Sequence, residues 1–158
     1  MILNSRKIIS VAIGAIVVIV LILAITTLLK GNPPFKTTQK ATVDNHTFKV
    51  NVAQTEKEKE IGLSDTKSLP DDYAMVFPFD QAGYYYFWMK NMKFSIDIIY
   101  IKDGKIVKIF TNVPTPQNNQ PPKIYVSGSP ADKVLEIKAG LSDKYKIKEG
   151  DLVTLQNI

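Results

Sequence analysis

The fold is decided by residues 84–100, which read YYYFWMKNMKFSIDIIY and contain the only tryptophan of the chain. In an extended chain the side chains alternate between two faces. Both faces of this stretch carry large apolar groups, so we predict a strand that is covered on both sides. Tyr84, Tyr86 and Trp88 share one face. We interpret that face as core, and the alternative is a ring-stacking platform if the face is open to solvent.

One charged residue interrupts the apolar second half of this stretch. Asp97 lies in the segment 96–101, which reads IDIIYI. A buried charge without a partner is costly, and Lys90 is the nearest plausible counter-charge in sequence. We therefore predict a Lys90–Asp97 ion pair. It has two interpretations: a structural link between central strands or, together with Asn91, part of a pocket for a polar ligand.

The composition excludes several kinds of site. The 158 residues include one histidine, His46, and no cysteine. Disulfides, thiolate zinc sites, cysteine nucleophiles and multi-histidine metal sites are therefore excluded. The sequence also lacks a glycine-rich phosphate loop and a calcium-loop pattern. We expect neither a metal nor a cofactor.

The N-terminal part predicts a membrane anchor. An uncharged stretch of 22 residues begins at Ile8 and ends at Leu29, which is long enough to cross the ~30 Å hydrocarbon core as a helix. It exceeds the apolar region of a cleaved signal peptide, and Arg6 and Lys7 before it favour a cytoplasmic N-terminus. In the cell membrane this single-pass arrangement gives a cytoplasmic tail at 1–7, a transmembrane signal anchor at 8–29, a linker at 30–40 and an extracytoplasmic β domain at 41–158.

The positive net charge is concentrated beside this anchor. Arg6, Lys7 and Lys30 flank it, and removing these three charges from the total of +5 leaves +2 for the rest of the chain. No lysine cluster and no arginine-aromatic patch occurs there. Because nucleic-acid binding depends on such basic surfaces, we expect no nucleic-acid partner.

The globular part shows local start and stop signals. Thr55 and Glu58 have the spacing of a capping box, and Gly62 follows the predicted short helix. The Asp103-Gly104 pair between two apolar runs predicts a tight hairpin. A strand over 73–77 is expected to stop at Pro78, because proline has no backbone N–H.

These signals predict the fold class. We count nine short strand patterns and one or two short helices, and helical patterns do not alternate with the strands. The prediction is a mainly β domain, either an antiparallel sandwich or a partly open barrel, preceded by one N-terminal transmembrane helix. The proline-rich residues 111–122 form a long loop, which is a candidate lid.

Several motifs occur together as they do in one known family. They are the block Phe87-Trp88-Met89-Lys90-Asn91 with Asp97 after it, VAQT at 52–55, MVF at 75–77, VLEIKAG at 134–140 and Gly150-Asp151. By these motifs the chain resembles the domain of unknown function family 192 over about residues 48–155. The family usually continues with Met and a nearby Arg after residue 63, whereas this chain has SDTK at 64–67. The resemblance implies a mostly β domain, often behind a signal sequence or membrane anchor. It supplies no reaction, substrate or catalytic residue.

Two later residues complete the set of candidates. Ser127 and Glu136 are polar residues near apolar runs on later strands. No Gly-x-Ser-x-Gly motif contains Ser127, and His46 is distant in sequence, so a serine triad is not indicated. A Glu136–Asp97 carboxylate pair would permit glycoside chemistry. The candidate ligand-binding residues are Trp88, Lys90, Asn91, Asp97, Ser127 and Glu136; catalytic residues remain unassigned.

Three functions are compatible with these residues. The first is a non-catalytic, membrane-anchored extracytoplasmic module that binds a small polar or carbohydrate-like ligand, or an envelope partner. The second is a hydrolase-type enzyme that uses Lys90 and Asp97 with Ser127 or Glu136. The third is a structural component of the cell envelope.

Overall fold

A computed structural model describes residues 37–116 and 121–158. The predicted cytoplasmic tail, the predicted anchor and most of the predicted linker lie outside the described residues. Among the residues that are described, no helix is both long and apolar enough to span a bilayer.

Seven strands and two short helices make up the described part of the chain. In chain order they are β1 (Lys40–Val43), β2 (His46–Val52), α1 (Glu56–Ile61), β3 (Tyr73–Gly83), β4 (Ile96–Lys102), β5 (Lys105–Val113), β6 (Ala131–Lys138), α2 (Leu141–Tyr145) and β7 (Val153–Gln156).

The strands form one sheet with the order β5-β4-β6-β3-β2-β1-β7. A bridge between Lys105 and Leu152 joins the two edge strands at one end, so the sheet curls into a half-barrel. The mainly β prediction is confirmed, and the partly open barrel describes the sheet, whereas the sandwich alternative is wrong. The antiparallel prediction fails for one pair, because β2 and β3 run parallel. The α1 connection between them is long enough to return the chain in the same direction.

The predicted local signals are present. The Thr55 hydroxyl accepts a hydrogen bond from the Glu58 amide at 3.2 Å, and the Glu58 carboxylate accepts one from the Thr55 amide at 2.8 Å. Gly62 ends α1 with φ at +51°, a value that favours glycine. Asp103 and Gly104 both have positive φ in the β4–β5 turn, as a tight hairpin requires.

Two strand predictions are wrong. β3 continues past Pro78, with a register shift between Pro78 and Gly83. Its pairing with β2 ends at Val76, so Pro78 lies where β3 has a free edge and no ladder hydrogen bond is lost. The aromatic half of the central stretch and residues 123–127 are not strands of the sheet. They form a single bridge between Phe87 and Tyr125, which reduces nine predicted strands to seven.

The two faces of the sheet differ in what covers them. Directly paired residues point to the same face, and Asp97, Ile137 and Ala74 are such partners. We call theirs the helix face, because its buried core includes Leu141 of α2. On the opposite face, which we call the aromatic face, the partners are Met75, Glu136 and Ile98 and, two residues along, Phe77, Val134 and Tyr100.

Candidate functional site

The aromatic face is covered by residues 84–92, which we call the aromatic segment. Its side chains alternate as the sequence predicts. Tyr84, Tyr86 and Trp88 are 55%, 68% and 49% exposed, whereas Met89 is buried. The core interpretation of the three exposed rings is therefore wrong, and the condition for a ring-stacking platform, an open face, is met. The reason is that this segment leaves the sheet and packs on it with one side only.

A buried tyrosine holds the aromatic segment to the sheet. The Tyr100 hydroxyl lies 3.1 Å from the carbonyl oxygen of Tyr85 and 2.8 Å from that of Tyr125, and it donates to both. Backbone hydrogen bonds between Phe87 and Tyr125 reinforce the contact, and the Phe87 ring packs edge-on against Phe77 with centroids 5.1 Å apart. Burial and the nearby Glu136 carboxylate raise the pKa of Tyr100, so its hydroxyl stays protonated.

A cavity of about 290 Å³ lies between α1 and the aromatic segment. Phe77, Phe79 and the rings of the segment form one side, and α1 with residues 62–64 forms the other. Three of the six predicted site residues line this cavity: Trp88, Lys90 and Glu136.

Glu136 lies at the buried end of this cavity. It is only 6% exposed and sits between Met75 and Ile98 of the neighbouring strands. No described residue forms an ion pair with its carboxyl group or donates a hydrogen bond to it. Burial therefore raises the pKa of Glu136 to about 8, because the charged form is desolvated without compensation.

Lys90 is an exposed cation at the junction of this cavity with two others. One adjoining cavity, of about 310 Å³, is also lined by Trp88 and Asn91. The other, of about 420 Å³, is lined by Asn91 and by prolines of the long loop. Asn91 has a φ of +60° in the turn closed by a hydrogen bond from Met92 to Met89. No ion pair among the described residues involves the Lys90 amine.

The predicted Lys90–Asp97 ion pair does not form. Asp97 is fully buried, as predicted, but its carboxylate accepts hydrogen bonds from the backbone amides of Asn112, Gly140 and Ser142 at 2.7, 3.1 and 2.8 Å. These donors satisfy the charge at the junction of β4, β5 and α2. Since Asp97 lies on the helix face and Glu136 on the aromatic face, the Glu136–Asp97 carboxylate pair is also wrong.

Ser127 is not part of the cavity lining. It is buried, and its hydroxyl donates to the carbonyl oxygen of Ser129. The structure thus brings together Trp88, Lys90 and Glu136, with Asn91 next to them, and leaves Asp97 and Ser127 elsewhere.

Sequence reasoning missed the contribution of α1. The alternating charges of residues 56–60 predict a solvated face, and Glu56 and Glu60 are indeed exposed. The same helix also lines the cavity, through Glu56, Lys59 and Glu60. Lys59 is ion-paired with Glu56 at 2.9 Å and lies 5.1 Å from the centre of the Phe79 ring. No sequence signal indicates that α1 lies beside the aromatic segment, because the contact depends on the path of β3. Within the described ranges, no group of three or more His, Cys, Asp or Glu residues could hold a metal ion.

Two solved structures are similar to this chain. A protein of unknown function from Novosphingobium aromaticivorans is 30% identical, with a TM-score of 0.65, over 73% of this chain and 83% of that one. A putative transcription regulator from Sinorhizobium meliloti is 24% identical, with a TM-score of 0.68, over 77% of this chain and 96% of that one. The second likeness shows the fold alone. No curated protein matches the chain.

The family resemblance seen in the motifs is confirmed by a family model. The model of DUF192, described as an uncharacterized ACR, matches residues 37–155. This range covers the whole sheet except the last residue of β7 and includes every residue that lines the cavity. The chain belongs to the DUF192 family.

Proposed function

We propose that the β domain binds a small polar or carbohydrate-like ligand in the cavity lined by Trp88, Lys90 and Glu136, and that it does so without catalysis. The observation that carries this proposal is a half-exposed tryptophan beside a cation and a buried carboxyl group, neither of which is paired with any residue in the described ranges. A sugar ring has an apolar face that stacks on an aromatic ring and hydroxyl groups that bond to polar atoms. Both kinds of contact are available here.

The dimensions favour a small ligand or one end of a longer chain. The cavity of about 290 Å³ is at the lower limit of the range typical of small-molecule sites, about 300–1,000 Å³. Trp88 and Lys90 also line the adjoining cavity of about 310 Å³. A ligand of more than one ring would therefore extend from Glu136 past Trp88 into that second space.

The single tryptophan is a built-in reporter for this proposal. Trp88 is the only tryptophan of the chain and lines the cavity, so its fluorescence reports on the site alone. We expect saturable changes in Trp88 emission when the full chain is titrated with short oligosaccharides from bacterial cell walls. By calorimetry, Trp88→Ala should weaken the binding by at least about 10-fold, equivalent to about 1.4 kcal/mol.

The matched control is Leu152→Ala, which removes an exposed apolar side chain outside the cavity. It should leave the affinity unchanged. Equal loss of binding in both variants would indicate non-specific adhesion and contradict the proposal.

A second candidate function is acid catalysis in the same cavity. It is favoured by the raised pKa of Glu136, about 8, since a carboxylic acid that stays protonated at neutral pH is a general acid. Of the residues in the hydrolase hypothesis, Lys90 and Glu136 line this cavity. Release of reducing sugar from a bound oligosaccharide, lost in a folded Glu136→Gln variant, would favour the enzyme over the binding module.

We further propose that the domain is held outside the cell membrane by residues 8–29. The support is the uncharged, apolar character of that stretch and the basic residues before it. The test is cell fractionation with protease added to spheroplasts that express the full chain with a C-terminal tag. Membrane association with a protease-sensitive tag is expected, and a protected tag would contradict the orientation.

A further inference from the structure

Glu136 combines deep burial with the absence of a partner among the residues that the structure describes. Although it is 6% exposed, its carboxyl oxygens are not among the fully enclosed polar atoms that lack a partner. The carboxyl group therefore reaches the surface of the cavity that it lines. A buried carboxylate without a partner is strongly disfavoured, so this end of the cavity is suited to a ligand that brings the missing group.

The two lysines that line this cavity, Lys59 and Lys90, do not pair with Glu136. Lys59 lines the same cavity, but its amine is paired with Glu56 at 2.9 Å and lies 5.1 Å from the centre of the Phe79 ring. Lys90 is exposed at the opening. Neither lysine forms an ion pair with Glu136, so the carboxyl group remains available.

Aromatic rings line the same cavity as Glu136. Phe77 and Phe87 line the cavity, and their rings meet edge to face at 5.1 Å. The faces of aromatic rings carry negative potential, which attracts ammonium groups more strongly when both partners are desolvated. A cavity lined by an acid without a protein counter-charge and by aromatic rings is therefore better suited to a cation than to an anion.

We infer that the buried end of the cavity receives an ammonium group of the ligand, which pairs with Glu136. This inference rests on the proposed function and names its ligand class. A saccharide unit with a free amino group has both the ring face that Trp88 requires and the ammonium group that Glu136 requires. The ligand is therefore an amino sugar with an unacetylated amine.

An ammonium group fits this environment better than a hydroxyl group does. A hydroxyl group supplies one hydrogen bond and no charge, so it leaves Glu136 in the protonated form that burial favours. Burial without a counter-charge is what raises the pKa of Glu136 to about 8. An ammonium group supplies both a hydrogen bond and a counter-charge, and hydrogen bonds between charged groups are roughly twice as strong as neutral ones.

Acetylation of the amine provides a test that needs no mutation. The full chain is titrated by calorimetry and Trp88 fluorescence with the tetramer of glucosamine and, in parallel, with the tetramer of N-acetylglucosamine. The two probes share their backbone, but only the first carries ammonium groups. We expect the glucosamine tetramer to bind at least about 10-fold more tightly. In Glu136→Gln that preference should disappear, whereas Asp80→Asn, which removes an exposed charge outside the cavity, should keep it.

Each other result has a separate meaning. Equal or tighter binding of the acetylated tetramer, with Glu136→Gln unaffected, would overturn the ammonium inference and leave the carbohydrate proposal standing. If Asp80→Asn abolishes the preference for glucosamine as completely as Glu136→Gln does, the preference is caused by the net charge of the protein, and the inference is overturned. Absence of binding by both tetramers would overturn the inference, and absence of binding by all the cell-wall oligosaccharides would reject the proposed function. If Glu136→Gln does not fold, the comparison of the two probes on the unmodified chain still decides.

Discussion

Two buried carboxyl groups occupy neighbouring strands of the same sheet and differ in almost every other respect. Asp97 on β4 is the partner of Ile137, and Glu136 on β6 is the partner of Ile98, so the two acids are one residue out of register. Because side chains alternate, Asp97 points to the helix face and Glu136 to the aromatic face. Both are more than nine-tenths buried.

The difference between them lies in what supplies their hydrogen bonds. Asp97 accepts three from backbone amides at 2.7–3.1 Å, whereas no described residue donates one to Glu136. Burial of an acid in an apolar strand therefore does not by itself identify a site. The acid that the protein satisfies is structural, and the acid that it leaves unsatisfied beside a cavity is the candidate for ligand binding.

The largest expected effect is on stability when the structural acid is removed. Asp97→Ala leaves the amides of Asn112, Gly140 and Ser142 without an acceptor, and each unsatisfied buried group costs about 1–3 kcal/mol. We expect the free energy of unfolding to fall by about 4 kcal/mol, measured by urea denaturation.

The conservative variant makes this prediction decisive even if the alanine variant does not fold. Asp97→Asn keeps one oxygen acceptor but places an amide N–H₂ against at least one backbone donor. A smaller loss, about 2 kcal/mol, is expected. An Asn variant as stable as the unmodified chain would show that the three hydrogen bonds contribute little.

The second expected effect concerns Glu136. Removing this acid should raise the stability at alkaline pH, whereas removing Asp97 should lower it. The pKa of Glu136 is about 8 in the folded chain, against an ordinary value of 4.5, so between these values the folded state binds more protons than the unfolded state. Stability must therefore fall as pH rises through this window. Between about pH 5.5 and pH 8.5 we expect a loss of about 3 kcal/mol from this group.

Glu136→Gln isolates that contribution. The variant lacks the titrating group, so its stability should exceed that of the unmodified chain at about pH 8.5 and match it closely at about pH 5.5. The measurement is urea denaturation of both proteins across this range. Parallel stability curves for the two proteins would show that Glu136 ionises normally and has a partner after all.

The parts of the fold that could be predicted depend on residues close in sequence. The capping box of Thr55 and Glu58 spans four residues, and the Asp103-Gly104 turn depends on backbone conformations of two adjacent residues. The alternation of Tyr84, Tyr86 and Trp88 also follows from local geometry. A few neighbouring residues determine each of these features, so the sequence alone is enough to predict them.

The parts that could not be predicted depend on distant contacts. The donors to Asp97 lie 15, 43 and 45 residues later in the chain, whereas sequence reasoning selects Lys90, a lysine only a few residues earlier. Nearly every residue type has a backbone amide, so the identity of a residue does not show that its amide will be the donor. Glu136 was a candidate from the sequence, but its separation from Asp97 by the sheet follows from the strand register, which a single sequence does not reveal.

The smallest expected effect tests how the aromatic face is held together. Tyr100→Phe removes the hydroxyl that donates to the carbonyl oxygens of Tyr85 and Tyr125, while the ring and its edge-on contact with Phe87 remain. We expect stability to fall by about 1.5 kcal/mol, because two carbonyl groups lose a buried donor. Urea denaturation measures this loss.

A second readout separates local loosening from general destabilisation. Without the Tyr100 hydroxyl the aromatic segment keeps its bridge to Tyr125 and the hydrogen bond from the Tyr85 hydroxyl to Gln81 of β3, but it loses the link to β4. Trp88 fluorescence should therefore become more sensitive to a soluble quencher under native conditions. Tyr86→Phe is the matched control, since it removes the hydroxyl of an exposed ring in the same segment. It should change neither stability nor quenching. If Tyr100→Phe lowers stability and leaves the quenching of Trp88 unchanged, Tyr100 supports the sheet alone. The ring platform would then be held by the packing of its buried side chains, in the same way as an ordinary core.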